Sequence, residues 1–300
     1  MKIIFVGIPD LALVCLSSLL EKKFNIVGVV PPLKTHETYP YFKNFVLSKG
    51  LNLIDFDKFP NEKECIEKIK SLNADIGVVC AYDKKFSKEF LSTTKLGYLN
   101  CHPSKLPYYR GAMPYFHIIK DGVKQSGITI HFMDENFDTG DIVAQKVFDV
   151  MLEETMGTLF NRTNFMLADT LIEILSQAKF KRIPQIKGIF PTAPKVEGNF
   201  KINWNLDIFE LDNLIRACNP FYNVFCEFRG ITMKIILAHP IKIKHNLNFG
   251  TIAKADENNF FVAAKNGYLA LDVVQLNTWG IFKTKEFYNT FNHNLEELMN

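Results

Sequence analysis

The sequence predicts an α/β protein: a doubly wound, mostly parallel, Rossmann-like sheet, followed by a small C-terminal β domain of barrel-like kind. Three observations predict it. Short apolar, β-branched runs alternate with helical periodicities over residues 1–180. The composition then breaks at 179–200. Beyond 200, short strand patterns follow one another between Gly and Asn turns.

The first strand is 2–6, Lys-Ile-Ile-Phe-Val, which stops at Gly7. Asp10 is placed to cap a helix over 11–22, in which Leu11, Val14, Cys15 and Leu19 recur at helical spacing. Ile-Val-Gly-Val-Val at 26–30 is the second strand. A helix at 39–49, a short strand at 52–54, a helix at 62–72, and strands at 75–80 and 97–101 continue the alternation. Continuous apolar strands between helices imply a parallel sheet covered on both faces. Two more strands are expected at 126–133 and 142–150. A long helix over 155–177 carries Leu159, Phe160, Leu167, Leu171, Ile174 and Leu175 as its apolar stripe.

Residues 179–200 hold three prolines, two glycines and five Lys/Arg, and read as an interdomain linker. The expected division is a catalytic domain at 1–180, a linker at 181–200 and a β domain at 201–300. Within the last, a helix at 207–217 precedes strands at 224–228, 231–237, 250–254, 259–263 and 267–273. No internal repeat or low-complexity tract interrupts the chain.

Composition narrows the function. The chain has 300 residues, 47% hydrophobic and 22% charged, enough for a sizeable core. The 27 Phe read as core filling. A net charge of +3 is too mild to argue for a nucleic-acid partner. The six cysteines show no CxxC pair and no tight cluster, and read as neither a disulfide frame nor a zinc site. Cys15 and Cys80 sit in apolar runs, as small buried hydrophobes of a reducing compartment. The opening apolar run, Ile3–Val6, is too short for a signal peptide or a membrane span, so a cytoplasmic, membrane-free protein is expected.

The chemistry is concentrated at 100–114, directly after a buried strand. Ligands of open α/β sheets bind at the carboxyl ends of strands. Asn100 and His102 alternate along the strand end, so both side chains leave one face of the sheet. An amide can donate to a developing oxyanion, and an imidazole can accept a proton from an attacking amine; together they suit acyl transfer. A second polar block, Asp-Glu-Asn-Phe-Asp-Thr-Gly-Asp at 134–141, offers a carboxylate to orient His102. Asp138 is the choice, although spacing alone does not separate it from Asp134 or Asp141. The turn at Gly7 carries neither GxGxxG nor a P-loop. His117 and His131, in apolar surroundings, read as satisfied core or surface histidines, and the Lys/Glu-rich 57–70 stretch as a solvated helix face.

These blocks together resemble the formyltransferase family that includes methionyl-tRNA formyltransferase and the N-formyltransferases of nucleotide-linked amino sugars. The resemblance begins at Lys2 and runs through the strand before Tyr82. It is strongest at Asn-x-His-x-Ser-x-Leu-Pro-x-x-Arg-Gly-x-x-Pro (100–114) and at Phe-Asp-Thr-Gly-Asp-Ile-Val (137–143). It resumes at Ile202–Trp204 and Ile215–Phe225. It implies direct transfer of the formyl group of N10-formyltetrahydrofolate to a primary amine. Asn100 and His102 would hold the tetrahedral intermediate and Asp138 would support His102, with no metal and no covalent enzyme intermediate. It places the folate in a cleft lined by 82–90 and 134–141, with Tyr82, Phe86, Ser104, Arg110, Gly111, Asp134 and Gly140 as the implied co-substrate residues.

Two departures bear on the acceptor. The tRNA enzymes resembled here carry a long basic loop after the second strand, whereas 31–39 reads Pro-Pro-Leu-Lys-Thr-His-Glu-Thr-Tyr. They also tend to have a basic C-terminal domain, whereas 201–300 holds ten Lys/Arg and ten Asp/Glu. A protein gripping a polyanion needs several phosphate-facing cations. A nucleotide-linked amino sugar is therefore the expected acceptor and a nucleic-acid partner is not, with methionyl-tRNA as the rival. The basic 179–195 stretch and Ala-Pro-Lys at 193–195 point toward that rival. Hydrolysis of the formyl donor and a non-catalytic binding module are further readings, and a homodimer is compatible with the chain.

Overall fold

The computed structural model describes residues 1–55, 63–82, 84–256, 258–277, 280–290 and 299. Part of the 57–70 stretch and the first residue of the helix expected at 62–72 lie outside the described residues. The chain forms two compact units. The first comprises Met1–Pro114, Gln125–Asp149 and Phe160–Pro194; the second comprises Tyr115–Lys124, Val150–Leu159 and Lys195–Asn300.

The first unit is built on a six-stranded sheet of β1 (Lys2–Gly7), β2 (Asn25–Val30), β3 (Ile76–Cys80), β4 (Tyr98–His102), β5 (Gln125–Phe132) and β6 (Ile142–Asp149), ordered β2-β1-β3-β4-β5-β6. The pairings among β2, β1, β3 and β4 are parallel; β5 and β6 are antiparallel additions. Alternate residues of the buried strands serve opposite faces. Ile3, Phe5, Val78, Leu99 and Ile130 join one core with α1 (Leu11–Glu21), α2 (Tyr39–Ser48) and α6 (Met156–Leu175). Ile4, Val6, Val79 and Tyr98 join the other, with α3 (Lys63–Ser71) and the short α4 (Lys88–Leu91). Burial on both faces is the reason β1 and β3 read as nearly unbroken apolar runs.

Three local expectations change. Asp10 stands at the start of α1, but its side chain makes no capping bond; its carbonyl accepts the Leu13 and Val14 N–H groups instead. The strand expected at 52–54 is a single parallel bridge between Leu53 and Val29. A helix, α5 (Pro114–Lys120), follows the motif at 100–114, where none was expected.

The second unit holds β7 (Phe200–Lys201), α7 (Ile208–Cys218), β8 (Val224–Phe228), β9 (Ile231–Ile241), β10 (Ile252–Ala255), β11 (Phe260–Ala264), β12 (Gly267–Leu276), β13 (Gly280–Lys283) and α8 (Thr284–Thr290). The strands make one sheet, antiparallel except for β7 on β8, ordered β10-β11-β12-β9-β8-β7 with β13 on β12. Helix α7 starts in a capping box: Asp207 accepts the Phe209 N–H at 2.9 Å, and Glu210 accepts the Asp207 N–H at 3.0 Å.

Candidate active site

The site grows from the parity of two strands. Along β4, Leu99 and Cys101 enter one core, so Asn100 and His102 leave the opposite face, beyond Tyr98. Along β5, Ile128, Ile130 and Phe132 enter that same core, so Thr129 and His131 share the face of Asn100. The antiparallel register sets Asn100 against His131 and His102 against Thr129. Thr129 anchors the chain leaving β4: its hydroxyl donates to the Ser104 carbonyl at 2.7 Å and accepts the Leu106 N–H at 3.2 Å.

Asp138 reaches this face from the loop between β5 and β6, in the left-handed region at φ 57°. One carboxylate oxygen, Oδ1, lies 3.2 Å from Asn100 Nδ2, 3.4 Å from His102 Nδ1 and 3.5 Å from His131 Nε2. The other, Oδ2, accepts the Gly111 N–H at 2.9 Å. Burial favours the protonated acid, but the two imidazoles and the Gly111 N–H outweigh it and hold the carboxyl well below the usual carboxylate range. The other two acids considered for this position point elsewhere. Asp134 accepts from Thr139 Oγ1 at 2.6 Å and from the Asn136 N–H at 2.9 Å, while Asp141 faces Arg182 at 4.0 Å.

His102 is buried, and its Nε2 donates to the Tyr109 carbonyl at 3.0 Å. That leaves Nδ1, beside Asp138, as the unprotonated nitrogen. Burial pulls its pKa below the ordinary histidine value, against the Asp138 carboxylate and the Tyr109 carbonyl, which favour the imidazolium. Neutral His102 thus has the chemistry of a base, and its conjugate acid has two acceptors beside it. His131 donates from Nδ1 to the Phe132 carbonyl at 2.8 Å, so its Nε2 accepts from Asn100 at 3.1 Å. Its reading as a satisfied buried histidine holds, yet it also belongs to the site. The antiparallel attachment of β5, invisible in its apolar pattern, is what delivers it.

Both Asn100 amide hydrogens are therefore committed, to Asp138 and to His131. Donation to an oxyanion requires one of them to be exchanged. The bond to His131 is the weaker, because its acceptor is a ring nitrogen and the other acceptor is a carboxylate.

The remaining sequence-selected residues are more dispersed in role. Gly111 is part of the cluster through its N–H; it sits at φ 123°, and a Cβ there would meet the Ala193 carbonyl oxygen at 2.5 Å. Arg110 donates to Gln185, while its buried Nε has no hydrogen-bond partner among the described residues. Gly140 lies where a Cβ would fall 1.9 Å from the Phe132 carbonyl oxygen, so the loop hugs the end of β5. Ser104 is fully buried and donates to the Tyr108 carbonyl at 2.6 Å, and Asp134 braces its own loop. Phe86 packs in the core on Phe90, 4.8 Å between ring centres, and beside half-buried Tyr82 at 5.6 Å.

The stretch expected as linker does more than connect. Through Pro194 it belongs to the first unit and lies along the site as a strap. Ile183 pairs with Ile142 in both directions, at 2.8 and 3.0 Å. Pro191 accepts the Tyr109 N–H at 2.6 Å, and Ala193 bonds both Arg110 and Met113.

Among the described residues, one group of His, Cys, Asp or Glu side chains is close enough to hold a metal: Cys15, Cys80 and Cys101, with sulfurs within 4.8 Å of one another. All three are buried in the apolar core behind β4. Three thiolates there would be uncompensated charge, so they pack as neutral thiols.

An amide, an imidazole and a buried carboxylate meet at the carboxyl edge of a Rossmann-like sheet, an arrangement whose chemistry suits acyl transfer. Comparisons with known proteins narrow the class. The Formyl transferase model matches residues 45–175, and the Formyl transferase, C-terminal domain model matches residues 196–292. The chain belongs to the formyltransferase family. Among its relatives, a methionyl-tRNA formyltransferase of Caldicellulosiruptor saccharolyticus is 32% identical, covering 97% of each chain, and one of Clostridioides difficile is 31% identical, covering 92% of each. Similar solved structures include an N-formyltransferase from Helicobacter canadensis in complex with folinic acid and dTDP-3-aminofucose (TM-score 0.69, 19% identity, 92% of this chain and 100% of that one). Another is WlaRD, a sugar 3N-formyl transferase with dTDP and 5-N-formyl-THF (TM-score 0.70, 21% identity, 93% and 98%). Among the described residues, no helix is long and apolar enough to cross a membrane.

Proposed function

We propose that the protein transfers the formyl group of N10-formyltetrahydrofolate to the primary amine of a nucleotide-linked amino sugar, with Asn100, His102 and Asp138 as the catalytic residues. The folate supplies the formyl group as an activated amide. Asn100, having exchanged its bond to His131, donates to the oxygen on which negative charge develops. His102 takes the proton of the attacking amine at Nδ1, its free nitrogen, and becomes an imidazolium held between the Asp138 carboxylate and the Tyr109 carbonyl. It then returns that proton to the departing nitrogen. Asp138 stays ionised throughout, because its surroundings hold its pKa so low.

The observation that carries the acceptor class is the scarcity of cationic surface. The 31–39 loop bears one Lys and one Glu, and its first two prolines are buried. Residues 201–300 sum to zero charge. A specific observation favours the second reading, methionyl-tRNA: relatives so named match this chain over nearly its full length at 31–32% identity.

The deciding experiment pairs the two acceptors. The purified protein and N10-formyltetrahydrofolate are offered aminoacylated initiator tRNA and, separately, thymidine- and uridine-linked amino sugars. Sugar turnover with weak salt dependence supports the proposal. Formylation of the tRNA alone, with affinity falling about 10³-fold or more between roughly 50 and 200 mM salt, replaces it with the second reading.

A further inference from the structure

Gln185 stands in the strap between exposed Pro184 and Ile186, yet its own side chain is turned inward. Its Nε2 donates to two carbonyls, that of Asp138 at 2.9 Å and that of Gly140 at 2.8 Å. Its Oε1 accepts from the Arg110 guanidinium. Both amide hydrogens are used, and the oxygen is used as well. The two carbonyls flank Thr139, in the turn where Asp138 holds a left-handed backbone that a residue with a Cβ adopts only under constraint from its surroundings. Arg110 precedes Gly111, whose N–H holds the Asp138 carboxylate. A closed circuit results: Gln185 to Arg110, along the chain to Gly111, across to Asp138, and back to Gln185. It joins the loop after β4 to the loop between β5 and β6. The proposed catalytic set is divided between the end of β4, where Asn100 and His102 stand, and the second of these loops, which carries Asp138.

We propose that Gln185 is a positioning residue for formyl transfer. It fixes the Asp138 turn so that the carboxylate meets His102 Nδ1, and it does so through N–H donation that only an amide of this length supplies. The inference rests on the reading of Asn100, His102 and Asp138 as the catalytic set. A carboxylate in the same place keeps the bond to Arg110 but presents an acceptor to two carbonyl acceptors. Gln185→Glu therefore separates donation from mere anchorage, and Gln185→Ala removes both.

The test measures Gln185→Ala, Gln185→Glu and a His102→Ala control in the full chain. N10-formyltetrahydrofolate is the donor, together with whichever acceptor the paired assay turns over. Both Gln185 variants should lose about 10- to 100-fold in kcat, the cost of a misplaced catalytic group. The KM values for donor and acceptor should stay within about threefold. The acid limb of the kcat profile should move to lower pH, because a displaced Asp138 supports the His102 imidazolium less. Gln185→Glu turning over like the parent protein overturns the proposal. So does a loss of activity that tracks loss of folded protein in a thermal melt while the acid limb stays in place, which marks a purely structural bond. Near-normal turnover by His102→Ala would instead remove the catalytic reading beneath the proposal, whatever Gln185 does.

Discussion

Asp138→Asn perturbs the site with almost no change of shape. The carboxylate Oδ1 stands 3.4 Å from His102 Nδ1, and both side chains are at most 10% exposed. Two unit charges at that separation, at an effective permittivity of about 20, attract by about 5 kcal/mol. The transition state carries only part of the imidazolium charge, and an asparagine retains a carbonyl dipole. About half of the attraction, roughly 2–3 kcal/mol, is then lost. At about 1.4 kcal/mol per decade, kcat should fall about 30- to 150-fold. The amide oxygen can still accept the Gly111 N–H, but its NH2 then faces the Asn100 NH2, a donor against a donor, so the variant cannot recover by a flip. The assay is steady-state release of tetrahydrofolate at saturating acceptor, with a thermal melt to show that the variant is folded. A folded Asp138→Asn protein with kcat within about threefold of the parent would refute an electrostatic role for this carboxylate.

Other outcomes follow from the same geometry. In the proposed mechanism His102 must be neutral, and burial pulls its pKa below the ordinary value of about 6.5, so the acid limb of kcat at saturating acceptor should lie below that pH; a limb above pH 7 would contradict this. The folded chain resists protonating His102 while the unfolded chain does not, so stability should begin to decline as pH falls below about 6.5, and thermal melts across pH 7 to 5 would detect it. Gly111→Ala forces a Cβ to within 2.5 Å of the Ala193 carbonyl oxygen at φ 123°. It should cost about 2–3 kcal/mol in denaturant unfolding and also depress turnover; a loss under about 0.5 kcal/mol would contradict the strain. In the second unit, Asp207→Ala removes the cap of α7 and the acceptor of an Asn266 bond at 2.6 Å. It should cost about 1 kcal/mol, read as a lowered midpoint in a denaturant melt.

Much of this was legible in the sequence because the underlying periodicities are simple. Strands buried on both faces read as unbroken apolar runs, and a period of two put Asn100 and His102 on one side of β4. What stayed hidden depends on contacts between distant segments. The choice of Asp138 over Asp134 and Asp141 rests on a left-handed turn that no residue type announces. His131 becomes a neighbour of Asn100 only through the antiparallel register of β5. Cys15, Cys80 and Cys101 converge because a helix and two strands share a core. The 181–194 stretch looked like spacer because Pro, Gly and Lys are the residues of loops; its attachment is by backbone bonds, which leave no mark on composition, and by the side chains of Arg182, Gln185 and Phe190.

The strap also sets the order in which the site can come into being. A ribosome delivers β1 to β6, and with α6 their sheet can bury its core before residue 183 has left the exit tunnel. The hydrogen bonds that join Ile183 to Ile142, Gln185 to Asp138 and Gly140, Pro191 to Tyr109, and Ala193 to Arg110 and Met113 wait for later residues. A nascent chain halted at the end of α6 would hold a nearly complete scaffold around loops whose partners in the strap are still missing. Folding and competence are thus separate events along the growing polypeptide, and a late-arriving segment stands between them.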